Sequence, residues 1–510
     1  MSHRILNCDY PDPDVIRVGD VYYMLSTTMH FFPGGAILRS YDLVNWELVN
    51  YLYDVLEDTP GARLQDGQSI YGKGMWAPSL RYFDGTFYVC FVANDTHKTY
   101  LFYTEQIEGT WERKEIEGFY HDASLLFDEE RVFIVYGNTE IFITELTKDL
   151  TRPLEGGLHR MLVKDTGNVR LGYEGVHIYK IDGRYYLFMI HWGKEDGARR
   201  AEACFVSDSL SGEFKGRDVF DDDMGYHGQG IAQGGIVDTP QGDWFAILFQ
   251  DSGAVGRIPV LIPVHFEDGF PVFVAEEAVS AHARLSERCL SGKDHSYEPL
   301  FTSGFTGEDG RLRRQWQWNH LPDASLFSFD GEGYTIRTDR LSVNITQAVN
   351  TLTQRLMFPS TDVQVRLDGA GMKNGDAAGL AALQGCYAYA GFMRENDRYY
   401  LVQVERSANE ISQKMGDHDT LPGKETVRIP LDSSAVTLRM CAEFSDMKDE
   451  VSFFYESDGT WIPFGKPHKL FFRLDHFVGC RAGLFMYSTL EPGGKCEFSD
   501  FVYKTVDREL

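Results

Sequence analysis

The chain has 510 residues, of which 43% are hydrophobic and 14% aromatic, so it can bury a core large enough for two or three domains. Its formal net charge of −27 at pH 7 argues against nucleic acid and anionic membrane surfaces as partners. Neither an apolar run of membrane-spanning length nor an apolar signal-peptide core is visible, so we expect no membrane association and a cytoplasmic location.

The eight cysteines are widely spaced, and none forms a CxxC pair. This spacing argues against zinc and thioredoxin-like chemistry and predicts mostly buried free thiols in a reducing compartment.

The first unusual element is CDYPDPDVIRVGDVYY (8–23), in which Pro11 and Pro13 flank Asp12. Proline fixes its own φ and restricts the residue before it, so the backbone of Asp12 has little freedom. By itself the segment is either a turn before a strand or a deliberately fixed carboxylate.

A turn followed by an aromatic strand then recurs through the first 290 residues. The five copies are VGDVYYML (18–25), FDGTFYVCF (83–91), FDEERVFIVYG (127–137), IDGRYYLFMI (181–190) and QGDWFAILF (241–249). Each predicts a β-hairpin, and their separation of roughly 45 to 65 residues is typical of a propeller or solenoid. We expect an all-β fold with five four-stranded blades, with a pair of β-sandwiches as the alternative.

The pattern changes near residue 300, where alternating strands separated by glycine-rich turns replace the repeat. We therefore predict two domains, a propeller over residues 1–300 and an antiparallel β-sandwich over residues 301–510.

Three acidic residues occupy matching positions in blades one, three and four. Asp12, Asp122 and Glu174 each lie about 7 to 10 residues before their hairpin turn. A single acidic residue is usually a surface group, but three at one phase of a propeller repeat would converge on its axis.

The segments YPDPDVIRVGDVYYM, GMWAPSLRYFDGTFYV, HDASLLFDEERVFIVYG, YEGVHIYKIDGRYYLF and GIAQGGIVDTPQGDWF together resemble glycoside hydrolase family 43. The region from WQWNH (316–320) and NTLTQR (350–355) onward resembles the concanavalin-like sandwich of the family's β-xylosidase branch. The resemblance implies a five-bladed propeller that hydrolyses glycosidic bonds with inversion.

By motif match, Asp12 is the general base and Glu174 the general acid. Asp122 matches the third family carboxylate, whose charge orients the acid and favours its protonated form. Asp14 stands where many family members carry serine, and we interpret it as a supporting or exposed group and not as a rival base.

The resemblance also implies substrate and metal contacts. Trp76 matches an aromatic platform for the sugar, Arg257 matches an arginine that binds ring hydroxyls, and His30 with Phe31 form a candidate rim of the site. Many family members hold a calcium ion on the propeller axis through one histidine and several waters. The place of that histidine aligns with Gln233, and the nearest histidine is His227, so we predict a water-rich Ca²⁺ site there.

The leading function is an exo-acting β-xylosidase that releases xylose from the non-reducing ends of xylooligosaccharides, a small-molecule substrate class. The alternative is an α-L-arabinofuranosidase, because the two sugars present similar hydroxyl patterns. The third hypothesis is a non-catalytic carbohydrate-binding protein. It predicts that one of the three carboxylates has been lost, whereas all three are present. The sequence leaves the oligomeric state open, a homo-oligomer included.

Overall fold

The structure is a computed structural model that describes residues 3–287, 295–331, 333–410, 414–415 and 419–505. Cys289, one of the predicted free thiols, lies outside this part of the chain. The other seven cysteines are free, and all of them except the partly exposed Cys441 are buried.

The first half of the described chain forms five antiparallel sheets of four strands each, with neighbouring strands consecutive in sequence. The strands of the first two blades are β1 (Asp14–Val18), β2 (Val21–Ser26), β3 (Gly34–Ser40), β4 (Glu47–Tyr53), β5 (Ser79–Phe83), β6 (Thr86–Ala93), β7 (Lys98–Thr104) and β8 (Glu112–Ile116). Those of the third and fourth blades are β9 (Ser124–Asp128), β10 (Arg131–Asn138), β11 (Glu140–Leu146), β12 (His159–Lys164), β13 (Val169–Ile181), β14 (Arg184–Gly193), β15 (Arg200–Ser207) and β16 (Lys215–Phe220). The fifth blade contains β17 (Ile231–Asp238), β18 (Trp244–Asp251), β19 (Arg257–Glu267) and β20 (Phe270–Phe273).

The first strands of the five sheets are neighbours around a closed ring, in the order β1, β5, β9, β13 and β17, with β17 again beside β1. The N-terminal segment closes the ring, because Arg4 pairs with Val260 of the last blade. The five-bladed propeller expected from the repeat is therefore confirmed.

The five predicted hairpins join the first and second strands of the blades. Two of their turns carry the Asp-Gly pair that a type I′ turn favours, and both residues have positive φ: Asp84 with Gly85, and Asp182 with Gly183. This turn geometry matches the twist of the strands and sets the register of each inner pair.

A helix, α1 (Ala278–Glu287), packs against β19 after the last blade. The short 3₁₀ helices of the described chain are Gly253–Val255, Ala275–Glu277, Ala324–Leu326, Ile345–Gln347, Ala408–Glu410 and Ser445–Met447. Among the described residues, none of the helices is long and apolar enough to cross a membrane.

The second half forms two seven-stranded antiparallel sheets, which confirms the predicted sandwich. One sheet contains, in spatial order, β21 (Gln317–Trp318), β24 (Leu352–Arg355), β33 (Arg481–Ser488), β26 (Asp376–Leu383), β27 (Ala388–Glu395), β28 (Arg398–Glu405) and β29 (Lys424–Leu431). The other contains β22 (Phe327–Asp330), β23 (Gly333–Arg337), β34 (Lys495–Thr505), β25 (Ser360–Asp368), β30 (Ala435–Glu443), β31 (Glu450–Ser457) and β32 (Thr460–Lys469).

The two domains share one continuous apolar core, and buried polar contacts cross their interface. Phe32 of the propeller and Trp318 of the sandwich exchange backbone hydrogen bonds. The guanidinium of Arg355 donates to the carbonyl of Asp9 and stacks 4.1 Å from the centre of the Tyr10 ring. The sandwich is thus anchored against the segment that immediately precedes Asp12.

Candidate active site

The three acidic residues singled out in the sequence all lie where an inner strand begins or bends. Asp12 precedes β1 by two residues, Asp122 precedes β9 by two residues, and Glu174 lies within the long strand β13. Because these strands surround one axis, the residues gather at one end of the propeller.

Asp12 is held in a strained backbone conformation and is almost fully buried. Its φ is 51°, in the left-handed region that non-glycine residues seldom adopt. The carbonyl of Pro11 accepts hydrogen bonds from the Ser26 hydroxyl and the Thr27 N–H, which anchors this turn on β2. The two alternatives for this segment therefore both apply: the flanking prolines form a turn before a strand, and that turn fixes the Asp12 carboxylate.

Arg257 is the cationic partner of Asp12. Its Nη1 donates to Asp12 Oδ1 at 2.8 Å, and the two side chains are only 3% and 6% exposed. Burial raises the pKa of Asp12, and the Arg257 guanidinium opposes that rise.

Asp122, Glu174 and His121 form a second group in which the potential ligand atoms all lie within 4.8 Å of one another. His121 Nε2 is 3.4 Å from Glu174 Oε2 and 3.6 Å from Asp122 Oδ2, and the Asn138 amide donates to Glu174 Oε2. At these distances the charges of the three groups act on one another through space.

Burial and neighbouring charges raise the pKa values of two members of this group, Asp122 and His121. Burial, together with the negative charges of Glu174 and Asp12, raises the pKa of Asp122 to about 7, against the pull of His121. Burial alone would lower the pKa of His121, but Asp122 and Glu174 outweigh it and raise that pKa to about 9. The site can therefore hold a transferable proton beside an ionisable carboxylate.

Glu174 owes its direction to a break in the β13–β14 ladder. The pairing register shifts on both sides of Glu174, and Gly175 has a φ of 62°. Such bulges turn a side chain away from the regular face of a strand. The Glu174 side chain is 18% exposed, three times as much as that of Asp122 at 6%.

The guanidinium of Arg257 is enclosed by aromatic rings. The ring centres of Phe477, Phe249 and Phe472 lie 4.5, 5.2 and 5.8 Å from its central carbon. Its Nε and Nη2 atoms are buried and have no hydrogen-bond partner among the described residues. Two oriented donors remain beside Asp12, which supports the predicted role of Arg257 in binding sugar hydroxyls.

Trp76 joins the two parts of the site. Its ring lies edge-on to His121 at 5.5 Å and is 6.3 Å from the ring of Phe477. Phe477 belongs to the sandwich, so the second domain contributes an aromatic side chain beside Arg257 and Trp76. Trp76 thus lies beside His121, which contacts both Asp122 and Glu174, and its role as a sugar platform stays a prediction.

His30 is not at an exposed rim of the site, whereas Phe31 is buried in one apolar cluster with Trp76 and Phe477. His30 is fully buried at the interface between the domains, packed against Tyr71 and His320, and burial holds its pKa well below 6.5. Phe31 is also buried, with the Arg481 guanidinium 3.4 Å from its ring centre. The sandwich covers this loop, which the propeller sequence alone does not reveal.

His227 does not belong to a close group of three histidine, cysteine, aspartate or glutamate side chains in the described part of the chain, so the calcium site stays a prediction. The His227 side chain is 45% exposed, and its Nε2 lies 3.8 Å from Asp446 of the sandwich. Gln233 is buried, and its side chain packs against Gly175. In the described part of the chain, one close group of three side chains could ligate a metal: His121, Asp122 and Glu174. Two of these three are carboxylates to which the predicted hydrolysis already assigns a role.

Comparison with known proteins identifies the family. The model described as "Glycosyl hydrolases family 43" matches residues 2–271, and the "Beta xylosidase C-terminal Concanavalin A-like domain" matches residues 305–504. The chain belongs to glycoside hydrolase family 43. It is therefore a hydrolase of glycosidic bonds, as the resemblance of its motifs predicted.

One relative extends over nearly the whole chain and another over about half of it. A β-xylosidase of Formosa agariphila is 25% identical over 98% of this chain and 89% of its own length. A non-reducing-end α-L-arabinofuranosidase of Bacteroides ovatus is 28% identical over 51% of each chain.

Two solved structures share the complete two-domain architecture. A bifunctional GH43-CE protein of Bacteroides eggerthii is 37% identical with a TM-score of 0.87 over 99% of this chain, and this chain spans 63% of its length. A GH43 enzyme engineered to display endo-xylanase and exo-arabinofuranosidase activity is 28% identical with a TM-score of 0.85, over 99% of this chain and all of its own.

The sequence analysis missed several residues of the site. His121 directly precedes Asp122, and a titratable residue beside a candidate catalytic carboxylate is a signal that could have been used. Asn138 and Phe477 carry no such signal, because each reaches the site only through the folding of another strand or domain. The positions of Asp12, Asp122 and Glu174 agree with their predicted roles, which stay proposals.

Proposed function

We propose that this family 43 hydrolase is an inverting, exo-acting β-xylosidase that releases xylose from the non-reducing ends of xylooligosaccharides. The observation that carries the proposal is the arrangement of three carboxylates around one end of the propeller, with Arg257 and Trp76 beside them. The names of full-length relatives support xylose as the sugar.

In the proposed reaction, Asp12 accepts a proton from a water molecule as that water attacks the anomeric carbon. Glu174 donates a proton to the glycosidic oxygen as its bond to the anomeric carbon breaks, so the two carboxyl groups exchange protonation states in each turnover. The configuration inverts because attack and departure occur on opposite faces of the ring.

The environments of the two residues suit these roles. Asp12 is buried and paired with Arg257, whose positive charge favours the ionised form that a base needs. Glu174 is the more accessible carboxyl, and it adjoins Asp122 and His121, whose pKa values are both raised. Asp122 has an oxygen within 4.8 Å of a Glu174 oxygen, and we propose that it orients the acid from there.

The sandwich supports cleavage from the chain end. Phe477 enters the site from the second domain and contacts Arg257 and Trp76. Because Phe477 closes the site on the side of the sandwich, the site favours a terminal sugar over the interior of a polymer.

The second candidate is an α-L-arabinofuranosidase. It is favoured by the Bacteroides ovatus relative and by the engineered GH43 structure, both of which are named for activity on arabinofuranosides. The two free donors of Arg257 would serve either sugar, since the hydroxyl patterns are similar.

The deciding experiment is hydrolysis of 4-nitrophenyl β-D-xylopyranoside and 4-nitrophenyl α-L-arabinofuranoside, side by side, with the anomer of the released sugar followed by NMR. We expect a higher kcat/KM for the xyloside and α-xylose as the first product. Preference for the arabinoside would favour the second candidate, and β-xylose as the first product would contradict inversion. Cleavage of neither substrate would refute both.

A further inference from the structure

A buried arginine occupies the central channel of the propeller, close to the carboxylates. Arg81 lies in the inner strand of the second blade, and its side chain is 11% exposed. Its Nη1 forms an ion pair of 2.7 Å with Asp14, whose side chain is fully buried. Asp14 was predicted to be either a supporting or an exposed group, and the structure shows that it is buried.

All five guanidinium N–H donors of Arg81 are used. Nε donates to the carbonyl of Leu125 at 2.9 Å, and Nη1 donates to Asp14 and to the carbonyl of Leu80, each at 2.7 Å. Nη2 donates to the Ser124 hydroxyl at 2.7 Å and to the Ile178 carbonyl at 3.4 Å. The acceptors belong to the inner strands of blades one to four, so the guanidinium ties four blades together.

The fifth blade is reached through Tyr179. The Tyr179 ring lies 5.2 Å from the Arg81 guanidinium, and its hydroxyl accepts from the N–H of Ile236 in β17. The Arg81 cation therefore contacts blades one to four directly and blade five through Tyr179. An axial metal ion would act from a similar position among the five blades.

The acceptors of Arg81 also lie immediately after the carboxylates. Asp14 is two residues after Asp12, Ser124 is two residues after Asp122, and Ile178 is four residues after Glu174. Asp12 and Asp122 have positive φ values, 51° and 46°, and such strain persists only when neighbouring contacts fix the backbone. Arg81 supplies contacts of this kind on three of the strands at once.

We infer that Arg81 is a positioning residue that takes the place of an axial metal ion, setting the spacing of Asp12, Asp122 and Glu174 through Asp14, Ser124 and Ile178. This inference is an alternative to the calcium prediction, which names His227 and Gln233 as ligands. It rests on the proposed function for the part that concerns activity. A lysine cannot replace the planar guanidinium of Arg81, because lysine carries its three donors on a single nitrogen.

The first test needs no substrate. The wild-type protein, purified in EDTA and desalted, is analysed for calcium by mass spectrometry, and its thermal midpoint is measured in EDTA and in calcium chloride. We expect no stoichiometric calcium and no shift of the midpoint, since a ligand that binds only the folded state would raise it. Bound calcium with a raised midpoint would overturn the inference, whatever the enzyme hydrolyses.

The second test uses whichever nitrophenyl glycoside the wild type cleaves. We expect Arg81→Lys to lower kcat by about 10²-fold while KM changes less than about threefold, because small displacements of reacting groups cost that much in rate. Arg39→Lys is the matched control, since Arg39 pairs with Glu47 on outer strands of the first blade. Wild-type kcat in a folded Arg81→Lys protein would overturn the inference.

Ser124→Ala decides the question if Arg81→Lys does not fold. It removes one acceptor and leaves the Arg81–Asp14 pair, so we expect a folded protein with kcat lowered about tenfold by the loss of a hydrogen bond to a charged group. A merely structural role predicts a lower thermal midpoint with unchanged kcat, and that result would also overturn the inference. If the wild type cleaves neither glycoside, the proposed function fails, whereas the calcium measurements still judge the inference.

Discussion

Replacing Arg257 with glutamine tests the proposed base directly. The Arg257–Asp12 pair is 2.8 Å long, and its side chains are 3% and 6% exposed, so little water can compensate when one partner is removed. Breaking such a buried pair costs about 3–5 kcal/mol. Since one pKa unit corresponds to about 1.36 kcal/mol, Asp12 would relieve that cost by remaining protonated about 2 to 4 units higher in pH.

The sign of the effect follows from the base role. Burial already raises the pKa of Asp12, and Arg257 is the group that opposes the rise. Without it, Asp12 is protonated over more of the pH range, so the acid limb of kcat/KM should move to higher pH by about 2 units.

The assay is kcat/KM against pH for the preferred nitrophenyl glycoside, with thermal unfolding to confirm the fold. Arg17→Gln is the matched control, because its pair with Asp238 is 24% and 35% exposed and should leave the limb unmoved. Arg257 is also a proposed substrate ligand, so its loss alone would lower kcat/KM at every pH. A uniform fall with an unmoved limb would refute the argument that Arg257 holds Asp12 ionised.

Three further changes test other parts of the site. Glu174→Gln should abolish hydrolysis of xylobiose and largely spare 2,4-dinitrophenyl xyloside, whose leaving group needs no acid; equal losses would contradict the acid role. Asp122→Asn should raise the thermal midpoint at pH 8 and not at pH 3.5, because the raised pKa of Asp122 makes its ionisation destabilising as pH rises from 3.8 to about 7; an unchanged midpoint at pH 8 would contradict this. Phe477→Ala should lower kcat/KM roughly tenfold by removing a cation–π contact, whereas Phe471→Ala, at an exposed position, should not; equal effects would refute a specific role.

The fold was predictable because its signals are local. A turn containing Asp or Gly followed by an aromatic strand specifies a hairpin within about ten residues, and five such hairpins separated by roughly 45 to 65 residues specify blades. The positions of Asp12, Asp122 and Glu174 followed from the same repeat, because equal phase in equivalent strands means equal depth along the axis.

The partners of those carboxylates were not predictable in the same way. Arg257 is 245 residues from Asp12, and Arg81 is 67 residues from Asp14. No periodicity connects these pairs, because ring closure of the propeller brings them together. The buried location of His30 has a similar cause, since residues of the sandwich cover it.

Asp9 explains why the second domain belongs to the active site. Its carboxylate accepts from the N–H of Arg257 through one oxygen and from the N–H of Gly479 through the other, each at 2.8 Å. Gly479 is required for this approach, because a Cβ there would lie 2.2 Å from the carbonyl of Val255. One carboxylate three residues before Asp12 therefore fixes both the strand that carries Arg257 and the sandwich segment that carries Phe477. A displacement of the sandwich would move the base, its cationic partner and the aromatic wall together, so the two domains must act as one catalytic unit.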